Sequence, residues 1–194
     1  MSALLSIEIV CQPLERIDAE LAVAGFFSDQ RPLRGPASRA DWRLCGLVSE
    51  MIGQGKLNGR RGDAILLPSL DRLYAPRVLL LGLGQRSKFG LRAARTATRE
   101  AVARALELRV ESLALPPLGI APDDFPRHAT VVMEGALEAL GAEGARQDHL
   151  RLRLGFESSQ AGRASSALEA AAETRGVEHV ALALPKRERG RRTA

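Results

Sequence analysis

Apolar residues recur along this 194-residue chain with the spacings of strands and helices in turn. Residues 78–81 form an unbroken apolar run closed by a glycine, which is typical of a strand buried on both faces of its sheet. Between residues 91 and 108 the apolar positions recur at helical spacing, which predicts an amphipathic helix. A second apolar run at 112–115 is stopped by two prolines. We therefore predict that the chain is organised around a strand, a helix and a second strand, with the two strands parallel in one sheet.

The same patterns assign the rest of the chain. Further strands are predicted at residues 3–10, 19–27, 64–68, 149–156 and 177–184. Further helices are predicted at 42–52, at 165–175 and from either 127 or 129 to 141. Asp41 is predicted to be the N-cap of the helix over 42–52. Residues 28–39 are predicted to be a loop, because Pro32, Gly35 and Pro36 lie there among charged residues. This order of elements indicates an α/β fold with a mixed sheet between helices.

Length and composition limit what the chain can be. The length suits one domain, which we place at residues 1–185, followed by a basic tail at 186–194. Hydrophobic residues make up 45% of the chain but aromatic residues only 4%, so a base-stacking surface for single-stranded nucleic acid is not expected. There is no apolar run long enough to span a bilayer and no signal-peptide pattern at the N-terminus, so we expect a cytoplasmic protein with no membrane contact.

The net charge of +5 at pH 7 raises the prospect of a polyanion partner such as DNA. The candidate phosphate-binding side chains are those of the tail together with two loop arginines: Lys186, Arg187, Arg189, Arg191, Arg192, Arg60 and Arg61. The competing interpretation is a solvated tail that contributes only solubility. Arg151 and Arg153 alternate with leucines, so that face of their strand must meet either water or an acidic partner.

Three segments carry a resemblance to a known family. They are DWRLCGLVSEMIGQGKLNGRRGDAILLP at residues 41–68, RVLLLGLGQRSKFGLRAA at 77–94 and SLALP at 112–116. In this order and spacing they resemble the N-terminal domain of the leucyl aminopeptidase family of metallopeptidases. The resemblance implies a macro-domain-like, three-layer α/β/α fold with about six strands.

The resemblance also bears on function. In the full-length enzymes this domain is non-catalytic and helps to build the hexamer, and in some bacterial members it contributes to DNA binding. The family's catalytic half, with its two-metal site and its Asn-Thr-Asp-Ala-Glu-Gly-Arg signature, has no match in this sequence. We therefore expect no peptidase activity, no catalytic residues, no metal site and no cofactor.

A glycine turn follows the strand at 78–81. Gly82, Gly84, Gln85 and Arg86 lie where open α/β sheets bind ligands, and exposed backbone N–H groups near a helix N-terminus would suit a phosphate. The turn matches neither of the common glycine-rich phosphate motifs, and its glycines also fit a purely structural tight turn. Asp63 precedes a strand, where aspartate in ADP-ribose-binding macro domains contacts adenine, but we interpret it as a turn residue.

The histidines and cysteines, which could bind a metal or act as nucleophiles, are scattered along the sequence. His128, His149 and His179 lie in different predicted elements, and none has a second ligand at metal-binding spacing. Cys11 and Cys45 have apolar neighbours in sequence and are predicted to be small buried hydrophobic residues.

Three functional hypotheses follow. The first is a non-catalytic domain that assembles with itself or with another protein, such as a full-length aminopeptidase. The second is a nucleic-acid-binding module that uses the basic residues. The third is binding of an ADP-ribose-type or nucleotide phosphate at the turn from Gly82 to Arg86.

Overall fold

The computed structural model describes residues 4–142, 149–175 and 180–183. Its seven strands form one sheet: β1 (Leu4–Val10), β2 (Leu21–Phe26), β3 (Ala64–Pro68), β4 (Arg77–Gly82), β5 (Ser112–Leu115), β6 (His149–Gly155) and β7 (Val180–Ala183). Its helices are α1 (Gly35–Arg43), α2 (Leu47–Gly53), α3 (Leu91–Glu107), α4 (Phe125–Ala142) and α5 (Ser158–Arg175). Short 3-10 helices lie at Leu14–Arg16, Arg86–Lys88 and Pro122–Asp124.

The sheet is mixed, with strand order β3-β4-β2-β5-β6-β1-β7. Every neighbouring pair is parallel except β3 and β4, which are antiparallel. The predicted strand, helix and strand over residues 77–116 correspond to β4, α3 and β5. The two strands share the sheet and run parallel, with β2 between them. The α/β prediction with about six strands between helices is confirmed.

Each face of the sheet has its own hydrophobic core. On one face alternate residues of the strands, such as Leu5, Leu79 and Leu152, pack against α3, α4 and α5. On the other face Ala22, Leu80 and their neighbours pack against α1 and α2. The described helices therefore form a layer on each side of the sheet, as the three-layer prediction requires.

The strand patterns are explained by these two layers. β4 is covered on both faces, and its residues from Val78 to Gly82 are all buried, as the unbroken apolar run predicts. In β6 the leucines are buried and Arg151 is exposed, as the alternating pattern predicts. Arg153 is paired within the chain: its Nε lies 2.9 Å from Glu8 Oε2 on the neighbouring strand β1.

The segment around Trp42 departs from prediction. Residues 28–39 are not all loop, because α1 begins at Gly35 with a proline in its first turn, where proline is well tolerated. The predicted single helix over 42–52 is two helices, separated where Cys45 and Gly46 adopt positive φ. Asp41 lies inside α1 and is not its N-cap. Its carboxylate instead accepts the Ser49 N–H in the first turn of α2, at 3.0 Å.

Two smaller differences concern length and burial. α5 begins at Ser158, seven residues before the predicted start. The prediction that Cys11 and Cys45 are buried is wrong, since both thiols are exposed. The interpretation of residues 186–194 as a separate tail concerns residues outside the described part of the chain. No helix in the described ranges is long and apolar enough to cross a bilayer.

Candidate functional site

The structure brings together two sets of residues that the sequence analysis predicted separately. The turn after β4 and the loop before β3 meet at the carboxyl end of β2 and line an open pocket of about 450 Å³. Its walls come from three segments of the chain: Ser28, Asn58, Arg60, Arg61, Gly84 and Gln85. Two predicted phosphate-binding residues of the turn and the two predicted loop arginines thus share one pocket.

Two glycines allow these segments to meet. A Cβ atom on Gly82 would lie 2.1 Å from the carbonyl oxygen of Arg60, and a Cβ on Gly59 would lie 2.7 Å from the Phe26 ring. Gly59 also has a φ of +76°, which non-glycine residues rarely adopt. Glycine is therefore required here for close approach of two backbones.

The backbone N–H groups of the turn are already bonded within the protein. Those of Gly82, Leu83 and Gly84 donate to the carbonyl oxygens of Asp63, Phe26 and Gly59, at 2.8 to 2.9 Å. Helix α3 begins only at Leu91, after a 3-10 helix. These three N–H groups are therefore not available to a phosphate, which leaves the arginine side chains as the main groups that could bind an anion in this pocket.

The arginines around the pocket differ in how firmly they are held. Arg31 donates to three carbonyl oxygens, those of Phe27, Gln30 and Asn58. The Arg86 guanidinium lies 4.9 Å from the centre of the Phe27 ring. Arg60 and Arg61 are exposed, and neither is in an ion pair with a carboxylate in the described part of the chain. Both of these guanidinium groups can therefore meet an anion.

The nearby carboxylates serve the local backbone. Asp63 Oδ2 accepts the N–H of Arg60 at 3.0 Å, and its own N–H donates to the Arg60 carbonyl at 3.0 Å. This confirms the interpretation of Asp63 as a turn residue. Asp29 Oδ1 accepts the N–H of Arg86 at 2.9 Å. Both carboxylates are therefore engaged in shaping the pocket.

Other predicted binding residues are not brought together. Lys186, Arg187, Arg189, Arg191 and Arg192 lie outside the described residues, as does His179. His128 Nδ1 is 2.8 Å from the Asp124 carbonyl, and His149 begins β6 at a different part of the fold. In the described ranges no group of three or more His, Cys, Asp and Glu side chains is placed to hold a metal ion.

Exposed apolar side chains lie on the half of the sheet that carries β3, a feature the sequence analysis missed. Trp42 is 74% exposed, although its place in the helical pattern predicted an inward-facing side chain, and Leu70 and Tyr74 are each 66% exposed. Leu66, in β3, is 39% exposed. An open cleft of about 920 Å³ lies between α1 and the β3–β4 loop, lined by Trp42, Cys45, Asp71, Arg72 and their neighbours. The sequence signal for this region is that AILLP, residues 64–68, contains no charged residue. A buried strand also lacks charged residues, so this signal does not show that the strand is exposed.

A second cavity, also not predicted, lies at the carboxyl ends of β1, β5 and β6. It has a volume of about 460 Å³ and mostly apolar walls, which include Pro13, Pro116, Pro117 and Phe156. The side-chain oxygen of Gln160, a residue that lines it, is buried and has no hydrogen-bond partner in the described structure.

A match to a protein-family model shows which family the chain belongs to. The model for the N-terminal domain of the cytosol aminopeptidase family matches residues 23–141. The chain belongs to this family. The match begins in β2 and ends in α4, so it includes the arginine pocket, the exposed apolar residues and the central strand, helix and strand.

Curated relatives agree with the family model. A probable cytosol aminopeptidase of Alkaliphilus metalliredigens is 26% identical over 113 residues, which is 58% of this chain and 23% of the relative. One of Nitrosococcus oceani is 33% identical over 120 residues, covering 61% of this chain and 24% of the relative. The chain thus spans about a quarter of the length of these relatives, and the match is confined to the family's N-terminal region.

Solved structures support the fold. A tomato leucine aminopeptidase mutant superposes with a TM-score of 0.63 at 16% identity, covering 89% of this chain and 37% of that chain. The Oceanobacillus iheyensis macrodomain with ADP gives a TM-score of 0.66 at 12% identity, covering 86% and 91%. The Trypanosoma brucei macrodomain in complex with ADP-ribose gives 0.63 at 14% identity, covering 81% and 67%. This cytosol aminopeptidase N-terminal domain therefore has a macrodomain-like fold.

Proposed function

We propose that this cytosol aminopeptidase N-terminal domain is non-catalytic and acts in assembly, by binding another copy of itself or another protein. The observation that carries the proposal is the set of exposed apolar side chains around β3. Large aromatic side chains are enriched in protein interfaces because each removes much apolar area from water when it is covered. Trp42 and Tyr74 are two such residues.

The exposed residues belong to one continuous part of the fold. Arg72, in the β3–β4 loop, donates to the carbonyl oxygen of Arg43 at 3.4 Å and contacts the Cys45 sulfur. These contacts hold the loop that carries Leu70 and Tyr74 against the end of α1, which carries Trp42. A partner that covers Trp42 is therefore well placed to cover Leu70 and Tyr74 as well.

The partner is expected to be this chain or a full-length aminopeptidase. Such enzymes are the curated proteins that this chain matches, and the match is limited to the N-terminal region. A domain of this kind that pairs with the same domain in a complete enzyme could enter its assembly without adding an active site.

Light scattering over a concentration series, with and without an added full-length cytosol aminopeptidase, tests the proposal. We expect species heavier than the 20.9 kDa monomer. The double variant Trp42→Ser/Tyr74→Ser should shift the distribution toward monomer, because both changed side chains are already exposed and are not needed for folding. Leu91→Ser, also at an exposed leucine, is the matched control. A strict monomer that binds no aminopeptidase would contradict the proposal.

A second candidate function is binding of a phosphate-bearing partner, either nucleic acid or an ADP-ribose-type ligand. It is favoured by one observation, the meeting of Gly84 and Gln85 with Arg60 and Arg61 in one pocket. Arginine binds phosphate well because its guanidinium offers paired N–H donors. The tail residues Lys186 to Arg192 would add sequence-independent contacts to nucleic acid.

Two measurements distinguish binding of nucleic acid from binding of an ADP-ribose-type ligand. A gel shift with duplex DNA over a salt series should show affinity that falls steeply with salt if nucleic acid is the partner. Calorimetry with ADP-ribose should show heat if a nucleotide phosphate is the partner. Loss of either signal in Arg60→Gln/Arg61→Gln would assign it to the pocket, whereas no signal in either experiment would remove this candidate.

A further inference from the structure

The cavity at the carboxyl ends of β1, β5 and β6 lies where the chain leaves two neighbouring strands toward opposite faces of the sheet. After β6 the chain enters α5, whose Ala161 packs in the core on the face that carries Leu152. After β1, which pairs with β6, it enters the 3-10 helix at Leu14–Arg16, and Leu14 packs in the core on the other face. Open α/β sheets bind ligands in the crevice that such a divergence leaves at the carboxyl ends of their strands. The topology of the chain therefore provides a ligand crevice between β1 and β6.

The walls of this cavity suit an apolar ring. Leu14, Ile17 and Phe156 line it, and each of them is at most 5% exposed. The Phe156 ring is held edge to face against Phe125, with 4.8 Å between the ring centres. The volume of about 460 Å³ lies within the range of about 300 to 1,000 Å³ that is typical of small-molecule sites, which are mostly apolar and largely preformed. A small ring compound would therefore bury its apolar surface here against side chains that are already fixed.

The charged groups at the cavity do not favour a phosphate. Arg39 is the one cation among the described residues that line it, and its Nε lies 3.2 Å from Glu15 Oε2. Glu157 also lines the cavity, is exposed, and has no ion-pair partner within residues 4–142, 149–175 and 180–183. Because negative charge exceeds positive charge among these three side chains, an uncharged ligand fits the cavity better than an anionic one.

Gln160 supplies a hydrogen-bond acceptor in the wall of the cavity. Its Nε2 donates to Asp123 Oδ1 at 3.2 Å, and Arg163 donates to the same oxygen at 3.1 Å, so the nitrogen side of the amide is already engaged. The amide oxygen is buried and has no hydrogen-bond partner in the described structure. A buried acceptor without a partner is costly, so a ligand that donates a hydrogen bond to it gains affinity.

We propose that this cavity binds a small, uncharged heteroaromatic compound. The ring of the ligand packs against Leu14, Ile17 and Phe156, and its N–H donates to the side-chain oxygen of Gln160. The proposal goes beyond both functions proposed above, because neither the cleft beside Trp42 nor the arginine pocket shares a lining residue with this cavity.

Indole and indene test the proposal as a matched pair of probes, because both are uncharged fused-ring compounds and only indole has an N–H. Titration of each into the full chain, followed by ligand-observed NMR, measures the two dissociation constants. We expect indole to bind about tenfold more tightly than indene, since it forms one more hydrogen bond to a buried acceptor. Gln160→Leu should remove this preference. Gln54→Leu, at an exposed glutamine that does not line the cavity, is the matched control and should keep it.

Cys11 reports where the probes bind. It lines the cavity and its thiol is exposed, so in Cys45→Ser, where it is the single cysteine, saturating indole should slow its alkylation by iodoacetamide. Equal affinities of the unmodified chain for indole and indene would overturn the proposal, as would a preference for indole that survives in Gln160→Leu. Binding of indole that leaves Cys11 unprotected would place the ligand elsewhere and would also overturn it. Protection of Cys11 by ADP-ribose but not by indole would show that the cavity takes a phosphate-bearing ligand instead.

Discussion

We compare two parts of the sheet that are exposed to solvent, because they differ in the kind of side chain that they expose. On the face of β1 and β6 away from α3, α4 and α5, the exposed positions are polar, and Arg153 is paired with Glu8 on the neighbouring strand. At the β3 edge the exposed positions include Leu66, and the loop after β3 exposes Leu70 and Tyr74. The first surface is satisfied within the chain, whereas the second leaves apolar side chains in water, which is why we propose a partner for it.

The largest expected effect is the difference in stability between variants on the buried face and the exposed face of β6. Leu152 is fully buried, so Leu152→Ala should lower the free energy of unfolding by about 3 kcal/mol through lost contacts and a cavity. Arg151→Ala, at the adjacent exposed position, should change it by less than about 0.5 kcal/mol. Urea denaturation followed by circular dichroism measures both. Similar losses for the two variants would mean that the polar face of β6 is also packed against something.

A smaller effect is expected at the arginines beside β3. If Arg60 and Arg61 bind phosphates, Arg60→Gln/Arg61→Gln should make the fall of log affinity for DNA with log salt concentration less steep. The slope should decrease in magnitude by about 2, since each phosphate contact contributes about 0.9. Arg34→Gln/Arg99→Gln is the control, because both of those arginines are exposed and lie outside the pocket. An equal change in slope for the two pairs would show that only net charge matters.

The smallest effect concerns the ion pair on the polar face. Arg153 and Glu8 side chains are 20% and 33% exposed, so water screens their interaction, and we expect a coupling energy of about 0.5 to 1 kcal/mol. A double-mutant cycle with Arg153→Met and Glu8→Gln measures it. A coupling near zero would show that this surface is merely solvated, which would weaken its contrast with the β3 edge.

Much of the fold could be predicted because its central elements are simple in pattern. The unbroken apolar run of β4 and the alternation in β6 both reflect how many faces of the strand are covered. The start of α1 was missed because Pro36 suits both a loop and the first turn of a helix. The break at Cys45 was missed because the apolar spacing continues through it into α2.

The candidate sites were harder to predict because they depend on strand order. Arg60 and Gly84 are distant in sequence and meet only because β3 and β4 form an antiparallel pair. Nor does AILLP, as a sequence, show whether its strand lies at the centre of the sheet or at its edge. The same kind of apolar residue that indicates a core strand is, at an edge, exposed to solvent, as Leu66 is.

Sedimentation equilibrium of the wild-type chain and of Trp42→Ser/Tyr74→Ser tests the central claim most directly. We expect the wild type to exceed the mass of one 20.9 kDa chain as its concentration rises. Trp42→Ser/Tyr74→Ser should stay monomeric with an unchanged circular dichroism spectrum, because the exposed apolar side chains that a second copy would cover are gone. Equal masses for the two proteins at every concentration would contradict it.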